Sequence, residues 1–477
     1  IPTTASDSTT IQPGGFLLLW ADKESEQGVL HVEIKLSGSG EQIGLFTING
    51  TVVDSLTFGE QTTDVSYGRI PDGSNTWEYF ESPTPGVSNE PLLDFTAIYD
   101  IQYVVDSDAD DASPLYGQEV TITGVVTAEF WGSDQSRYMH VQDSEGPWNG
   151  IVAFNYGGWD SFDFVDDSGA PIVGPAEGDS VTLTGTVEEY YNLTELIDIS
   201  VGVVHGPATN IIEPTVVTIG EIGEAYEGCL IEVNNVTISD PDLGYGEWEF
   251  SDGTNSSTSD DKWNYYYYPE ADQNLGSIVG VLDYNYSNYK LQPRLARDVV
   301  EASGDPVRIQ RVQQVLYSDL MKAGMDEESD MSYMSEQTVT LEGIVTMPTG
   351  LSFAGSGVKF IFADVNGGPW SAILSYDPDS SAFPTLFEGD LIQATGYISE
   401  YTTSAANMTE LFITEPVNII DFELATPPVD TVNTGDLRWP TEAEQWGNVI
   451  VRIEDGVVTE NDLNYEVFAV DDGTGAV

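Results

Sequence analysis

The phrase GQEVTITGVVT at Gly117–Thr127 decides the fold, because it alternates apolar and polar residues and because it occurs twice. The second occurrence is EQTVTLEGIVT at Glu336–Thr346. A period of two is typical of a β-strand with one buried face. Further pairs follow at offsets of roughly 215 residues, so one long β unit is used twice: VQDSEGPWNGI (Val141–Ile151) with ADVNGGPWSAI (Ala363–Ile373), GDSVTLTGTVEEYYNLTEL (Gly178–Leu196) with GDLIQATGYISEYTTSAANMTEL (Gly389–Leu411), and GCLIEVNNVTI (Gly228–Ile238) with GNVIVRIEDGVV (Gly447–Val458).

The second copy of this unit stops early. It ends at Val477, soon after DDGTG at Asp471–Gly475. The matching SDGTN at Ser251–Asn255 is followed by about 50 more residues of the first copy. We therefore expect the chain to be a piece of a longer protein.

The composition is strongly acidic. The 477 residues include 80 Asp and Glu against 14 Lys and Arg, a net charge of −66. This length predicts several domains. Such a surface repels phosphate backbones, which disfavours nucleic acid as a partner. It suits high salt, divalent cations, or simply a well-solvated surface.

Strand patterns bounded by Gly, Asp, Asn and Pro dominate the chain, so the predicted class is all-β, built of sandwiches or barrels. Only Gln310–Ala323 has helical spacing, and a strand followed by one helical turn is the alternative reading. Asp100–Val105 is expected to be extended. The predicted domains are residues 1–90, 91–212, 213–303, 304–425 (repeating 91–212) and 426–477 (repeating part of 213–303).

Residues 1–90 carry three phrases: PGGFLLLWADK (Pro13–Lys23), GVLHVEIKLSGSGEQIGLF (Gly28–Phe46) and DVSYGRIPDGSNTWEYFESPTPGVSNE (Asp64–Glu90). In content and order they resemble the lamin-tail domain of secreted bacterial proteins, without that family's opening strands. The resemblance implies an immunoglobulin-like β-sandwich that serves attachment and interaction.

The remaining modules combine short strands, a turn-borne Asp-x-x-Gly and a later Gly-Asp step before a strand. They resemble the OB-fold barrels of secreted bacterial proteins. Such barrels often precede extracellular nuclease or phosphatase domains. The resemblance therefore implies tandem OB-like barrels, and it leaves open a catalytic domain beyond residue 477.

No catalytic constellation is predicted within the chain. The histidines His31, His140 and His205 lie far apart, and no HExxH, GxSxG, P-loop or dinucleotide-binding pattern occurs. Glu188, Glu189 and Glu400 are interpreted as solvated strand ends. The single cysteine, Cys229, is expected to be buried, and no disulfide or Cys/His zinc site is possible within the chain.

One cation site is predicted from spacing. Asp106, Asp108, Asp110 and Asp111 place carboxylates at alternate positions, as Ca²⁺-binding loops do. The loop lacks the Gly and the distal Glu of an EF-hand, so a plain acidic loop is the alternative. Asp252, Asp364 and Asp471 recur on equivalent turns, where Asp is expected to shape the turn.

Two interaction surfaces are predicted. As a strand, Tyr265, Tyr266, Tyr267 and Tyr268 would present aromatic rings on both faces, one of them exposed. A small basic group stands alone on an acidic molecule and is expected to meet acidic surface of this chain or of a neighbouring subunit: Lys290, Arg294, Arg297, Arg308 and Arg311. Trp148 and Trp370 are expected to pack in turns or core.

These patterns favour a non-catalytic, secreted, structural or adhesive β-repeat protein of a prokaryotic cell surface, fibre-forming in one version. The alternative is the non-catalytic front of a secreted nuclease or phosphoesterase. Expected partners are other copies, another extracellular protein or carbohydrate, with no nucleic acid and no membrane span. Six N-x-S/T sequons are glycosylation candidates: Asn49, Asn192, Asn235, Asn255, Asn285 and Asn407.

Overall fold

The computed structural model describes the chain except for residues 1–4, 6–8, 12–14, 71, 90–94, 108, 130–137, 156–163, 173, 322–329, 352–354, 356, 403–406, 462 and 464–466. The chain forms two compact units, Ile1–Asp94 and Phe95–Val477. Both consist mainly of strands, turns and irregular segments, which confirms the predicted all-β class.

The first unit contains two antiparallel two-stranded sheets. They are formed by β1 (Glu41–Phe46) with β2 (Val52–Phe58), and by β3 (Ser66–Arg69) with β4 (Trp77–Phe80). A 3₁₀ turn at Ser25–Gln27 precedes them. The immunoglobulin-like sandwich expected here stays a prediction.

The second unit begins with a closed five-stranded barrel, the first barrel. Its strands are β5 (Glu119–Ala128), β6 (Tyr138–Gln142), β7 (Gly150–Phe154), β10 (Asp179–Tyr190) and β11 (Leu193–Pro207). They pair in the order β5-β6-β7-β11-β10, and β10 returns to β5. Only the β7–β11 contact within this ring is parallel. The short strands β8 (Phe164–Asp166) and β9 (Pro171–Ile172) extend the sheet beside β11.

Two further barrels repeat this strand order, which confirms the predicted tandem OB-like barrels. The second barrel contains β13 (Leu230–Gly244), β14 (Glu247–Ser251), β15 (Ser256–Ser259), β16 (Asn274–Asn285) and β17 (Asn288–Gln292), flanked by β12 (Thr215–Val216) and β18 (Val299–Glu301). The third contains β19 (Thr338–Met347), β20 (Val358–Ala363), β21 (Ala372–Asp377), β22 (Leu391–Glu400) and β23 (Thr409–Ile413), flanked by β24 (Asn418–Asp421).

Residues 426–477, the C-terminal segment, follow the third barrel and contain two separate two-stranded sheets. They contain β25 (Asp430–Thr431), β26 (Val451–Arg452), β27 (Val457–Glu460) and β28 (Ala469–Asp471). A four-residue helix at Pro440–Ala443 and 3₁₀ turns at Asp436–Arg438 and Glu444–Trp446 lie between β25 and β26. Further 3₁₀ turns, at Ile219–Glu221, Glu224–Tyr226 and Ala296–Asp298, belong to the second barrel.

Each barrel encloses its own apolar core. Ile122, Val141 and Leu183 are fully buried in the first, Trp248 and Phe250 almost fully in the second. The third is filled by a separate cluster that includes Phe360, Phe362 and Leu411. Cys229 is buried, as predicted. No helix among the described residues has the length and apolar character needed to cross a membrane.

The prediction that Asp100–Val105 is extended is wrong at its start. A helix, α1, spans Ile98–Gln102 and buries Ile98 and Ile101 against the first barrel. Its first turn is held by Asp143, whose carboxylate accepts a hydrogen bond from the backbone N–H of Ile98 at 2.8 Å. A group 45 residues away thus stabilises the helix, and local sequence does not reveal it.

The single helix predicted over Gln310–Ala323 is also wrong. The structure has two short helices, α2 (Ile309–Gln313) and α3 (Tyr317–Leu320), and residues 322 and 323 lie outside the described part. Helix α2 occupies the repeat position of α1, because Asp364 accepts hydrogen bonds from Ile309 and Gln310 as Asp143 does from Ile98. Asp364 therefore caps a helix in addition to shaping its turn.

Candidate functional site at the junctions between barrels

The outward face of the first barrel is buried. His140 on β6 and Glu195 on β11 lie on either side of Val152 on β7. Because neighbours such as Met139 and Val141 point into the core, these side chains point outward. They are nevertheless at most 1% exposed, as is Gln142. We call His140, Gln142, Val152 and Glu195 the outward face.

The second barrel covers this face. The side-chain oxygen of Gln142 accepts a hydrogen bond from the backbone N–H of Leu230 at 2.5 Å. A Cβ added to Gly150 would lie 2.5 Å from the carbonyl carbon of Gly228, so the two backbones touch directly. Ala128, Leu230 and Val281 form a small apolar cluster. This contact between the barrels is the first junction.

One backbone hydrogen bond of the first junction recurs in the second copy. The backbone N–H of Trp148 donates to the Ala225 carbonyl at 2.6 Å, and the backbone N–H of Trp370 donates to the Gln445 carbonyl at 2.6 Å. Both tryptophans have left-handed backbones, with φ of 68° and 63°. Their bonds join the first barrel to the second, and the third barrel to the C-terminal segment. We call the latter contact the second junction.

At each junction, a glutamine side chain forms a hydrogen bond with the first residue of the strand that follows Trp148 or Trp370. The Gln102 amide donates to the Gly150 carbonyl at 2.7 Å, and the Gln313 amide donates to the Ala372 carbonyl at 2.8 Å. These glutamines end α1 and α2. The helices thus position the strand that carries each junction.

The first junction encloses charged groups. Lys262 pairs with Asp283 at 2.8 Å, beside His140 and Glu195. Burial, with help from Lys262, lowers the pKa of His140 to about 4. Burial, with help from Asp283, raises the pKa of Glu195 to about 8. His140 Nε2 and Glu195 Oε2 are buried without a hydrogen-bond partner among the described groups.

Arg294 links the first two barrels. Its guanidinium donates to both carboxylate oxygens of Asp298, at 2.8 and 2.9 Å. It also donates to the Thr127 carbonyl of the first barrel at 2.7 Å and lies 3.1 Å from Glu177. Arg297 pairs with the same Glu177 at 2.5 Å. Arg294 is only 7% exposed, so this network is part of the interior.

The rest of the basic group is also engaged within the chain. Lys290 is 3% exposed and pairs with Glu247 at 2.5 Å. Arg308 and Arg311 both pair with Glu301, at 3.0 and 2.6 Å. The basic group therefore meets acidic groups of its own chain, which is one of the two expected alternatives.

The four tyrosines do not form a strand, and the expectation of one exposed aromatic face is wrong. Tyr265 is 2% exposed in the second core, where its hydroxyl accepts a hydrogen bond from Trp248 at 2.6 Å. Tyr267 packs against that core and donates to Gln273 at 2.7 Å. Tyr266 has φ of 49°, which breaks the alternation. Of the four, only Tyr268 is exposed, at 45%.

The structure does not bring the predicted cation loop together. Asp106 closes a turn through its backbone carbonyl, Asp110 accepts from Ala112, and Asp108 lies outside the described residues. Asp111 instead accepts a hydrogen bond from Asn192 at 2.7 Å. Among the described residues, no group of three or more His, Cys, Asp or Glu side chains is arranged to hold a metal ion as it stands.

The sequence suggested that Glu189 and Glu400 are solvated strand ends, and this interpretation is wrong. Both are half-buried, and burial raises the pKa of each. Glu189 accepts a hydrogen bond from the Ser113 backbone at 2.7 Å, and Glu400 accepts one from the Ser332 backbone at 3.0 Å. The sequence offered one sign that these glutamates have a structural role: they occupy equivalent positions in the two copies of the repeat.

The sequons occupy different environments. Asn49, Asn235 and Asn255 are exposed, and Asn285 is half-buried. Asn192 and Asn407 are repeat equivalents that donate to Asp111 and Asp330, each at 2.7 Å. Glycosylation at any of the six stays a prediction.

His205 takes part in a hydrogen-bonded chain that superficially resembles a catalytic triad. Its ring bonds to Thr182 at 2.9 Å and to Asp167 at 2.5 Å, beside a cleft of about 810 Å³. Thr182 is only 4% exposed and lies mid-strand, paired with Thr123 and Val203 on its two sides. A hydroxyl so deeply buried within a sheet is poorly placed to attack a substrate in the cleft.

No family model and no curated protein matches the chain. Among solved structures it is similar to an OBody bound to hen egg-white lysozyme (19% identity, TM-score 0.16, 19% of this chain and 87% of that one). It is also similar to an aspartyl-tRNA synthetase from Entamoeba histolytica (17%, 0.15, 20% and 20%) and a single-stranded DNA binding protein from Thermus aquaticus (11%, 0.15, 42% and 95%). The chain spans only a fifth of the synthetase. TM-scores this low carry no argument about function.

Proposed function

We propose that this chain is a non-catalytic, extracellular structural or adhesive array in which OB-like barrels are building blocks. One observation carries the proposal. OB-folds bind oligonucleotides and oligosaccharides on the face of their second and third strands. In the first barrel these strands are β6 and β7, and their outward residues His140, Gln142 and Val152 are fully buried beneath the second barrel.

Charge supports the same conclusion. A net charge of −66 disfavours nucleic acid as a ligand. The lamin-tail-like phrases in residues 1–90 favour attachment at a prokaryotic cell surface. Other copies, another extracellular protein or carbohydrate are the proposed partners.

Fluorescence anisotropy with a labelled single-stranded oligonucleotide at low salt tests the proposal. We expect no binding at about 100 µM protein, where non-specific binders with Kd of 10⁻⁴–10⁻⁶ M are detected. A Gly150→Val variant wedges the first junction apart, because its side chain meets the Gly228 backbone. It should expand the molecule in small-angle scattering and still bind no DNA.

The control is Gly223→Ala, whose added Cβ meets nothing within 4 Å. Micromolar DNA binding by the wild type, or hydrolysis of nucleic acid that a point substitution in this chain abolishes, would overturn the proposal. Light scattering at high micromolar concentration tests assembly separately, and a strictly monomeric chain at low and high salt contradicts self-assembly.

A further inference from the structure

One cavity, of about 460 Å³, lies where several parts of the second unit meet. The first barrel contributes Glu129, the second barrel Trp263 and the third barrel Trp370, while Gln314 comes from the segment between α2 and α3 and Gln445 from the C-terminal segment. Small-ligand sites usually measure ~300–1,000 Å³. We call this space the junction cavity. It requires the assembled modules, so a single barrel could not provide it.

Four aromatic side chains line the junction cavity: Trp263, Tyr266, Tyr317 and Trp370. The indole N–H of Trp263 donates to the Glu129 carbonyl at 2.5 Å, which fixes this ring. Trp370 is 7% exposed, and Tyr266 and Tyr317 are half-buried. Aromatic rings have flat apolar surfaces with a negative face, which attracts C–H groups. The cavity therefore offers several aromatic contacts to one ligand.

Polar side chains of the same cavity have hydrogen-bonding groups to spare. Gln314 accepts from the Ala296 backbone N–H at 2.6 Å through Oε1, but its Nε2 donates to no described residue. Gln445 donates to the Glu442 carbonyl at 3.0 Å, and its Oε1 accepts from no described residue. The exposed Asn264 has a side-chain amide that bonds to no described group. A ligand rich in hydroxyl groups, which both donate and accept, can satisfy all three side chains.

The charged groups that line the cavity are mostly engaged already. Arg294 lies 3.1 Å from Glu177 and donates to both carboxylate oxygens of Asp298. Glu129 accepts a hydrogen bond from the Ser318 hydroxyl, and burial raises its pKa to about 7. Buried ion pairs resist losing a partner to a competing charge. A neutral ligand therefore fits the cavity better than an anion.

We propose that the junction cavity binds a neutral saccharide. A pyranose ring has apolar C–H faces and a rim of hydroxyl groups, which match the aromatic rings and the free amides of the cavity. The site is distinct from the β6–β7 face of the first barrel, which the second barrel covers. This inference rests on the proposed function, in which carbohydrate is one partner of a non-catalytic array, and it gives that partner a site.

Isothermal titration of the whole chain with neutral pentasaccharides tests the proposal. The probes are cellopentaose, xylopentaose, mannopentaose and chitopentaose, and we expect saturable binding of at least one at a single site. Tyr317→Ala should weaken that binding about two- to tenfold, the loss expected for one aromatic contact. Tyr317→Phe keeps the ring and should bind within about twofold of the wild type.

Asn264→Gly provides a second variant that leaves the fold intact. It removes only the amide side chain, and glycine suits the left-handed backbone of this residue, with φ of 50°. It should weaken binding about two- to tenfold, as the loss of one hydrogen bond does. The matched control is Tyr245→Ala, at a tyrosine that is 99% exposed and outside the cavity, and its affinity should be unchanged.

Circular dichroism shows whether each variant is folded. If none of the four saccharides binds, or if folded Tyr317→Ala and Asn264→Gly both bind as tightly as the wild type, the proposal is wrong. Glu442 also lines the cavity, so choline is titrated as a competing cationic ligand. Binding of choline without binding of any saccharide would likewise overturn the proposal.

The same samples separate this proposal from the proposed function. Absence of saccharide binding removes the site but leaves a non-catalytic array intact. An assay for new reducing ends, run on the titrated pentasaccharides, should detect no cleavage. Cleavage that a substitution in this chain abolishes would contradict the non-catalytic function even where the saccharide binds.

Discussion

The first and third barrels are two copies of one design with different outward faces. Strand register makes these positions equivalent: His140 and Ile361, Gln142 and Ala363, Val152 and Leu374, and Glu195 and Glu410. In the first barrel three of the four are polar, and in the third barrel three are apolar. The backbone bonds from Trp148 and Trp370 are nevertheless the same.

This difference shows that the same backbone contact forms at both junctions, while the neighbouring module determines which side chains can be buried there. Gln142 can be buried because the Leu230 N–H bonds to it. The second barrel brings Lys262 and Asp283 close to His140 and Glu195. Buried polar groups usually have a hydrogen-bond partner, and here the neighbouring module supplies the one for Gln142.

The largest effect should come from breaking the ion network of the first junction. Arg294→Ala leaves Asp298 buried and unpaired, at an expected cost of about 3–5 kcal/mol in the free energy of unfolding. Hydrogen exchange should show the loss in the first and second barrels, with the third as an internal reference. Arg452→Ala, at an exposed arginine, should change stability by less than about 0.5 kcal/mol. A loss below about 1 kcal/mol for Arg294→Ala would contradict this view of the junction.

Exchanging the equivalent outward residues His140 and Ile361 between the first and third barrels should change how the free energy of unfolding depends on pH. His140 has a folded-state pKa of about 4 because of burial and Lys262, so the folded chain binds fewer protons than the unfolded chain from about 6.5 down to 4. Stability from this group is complete above pH 6.5 and falls by about 3 kcal/mol toward pH 4.

His140→Ile, which copies the third barrel, should remove that loss in urea unfolding series at several pH values. The charge of Asp283 raises the pKa of His140 and that of Arg294 lowers it further, and both residues remain in the variant. Ile361→His, at a half-buried position, should introduce a smaller loss. An unchanged pH profile in His140→Ile would show that His140 is accessible to water.

The two helix-capping aspartates, Asp143 and Asp364, should make stability depend on pH in the direction opposite to that of His140. Burial raises the pKa of Asp364 to about 7 and raises that of Asp143 as well. The folded chain therefore keeps a proton that the unfolded chain loses, and stability falls as pH rises from about 4 to 7. Asp364→Asn should remove about 2 kcal/mol of that fall, since water partly screens a half-buried carboxylate. Asp143→Asn should remove less, and equal effects in thermal unfolding at pH 5 and 8 would contradict the ranking.

The smallest effects should be equal in the two copies. Asn192→Ala removes the hydrogen bond to Asp111, and Asn407→Ala removes the one to Asp330 together with an exposed one accepted from Thr402. Because exposed hydrogen bonds exchange readily with water, each variant should cost about 0.5–1 kcal/mol. Chemical denaturation that gives costs more than about 1 kcal/mol apart would show that the two copies are not equivalent here.

The strands could be read from the sequence because alternation is a local property. Val120–Val126 and its repeat equivalents predict strands with one face inward, and the structure closes them into barrels. Helix α1 could not be predicted, because its cap, Asp143, lies on a distant turn. The tyrosines Tyr265–Tyr268 misled for a similar reason, since left-handed residues at Asn264 and Tyr266 interrupt the alternation.

By itself, the sequence determined the all-β class, the repeat and the acidity, because these depend on residue order and composition alone. Only the tertiary structure decided which groups meet. Glu189 and Glu227 share the bonds of Thr194 after barrel closure brings β11 beside the start of the second barrel. Closure of the second barrel places Lys290 beside Glu247, and packing between the barrels places Arg294 beside Glu177. Burial and proximity arise from packing between segments far apart in the chain, and they set the pKa values and the ion pairs.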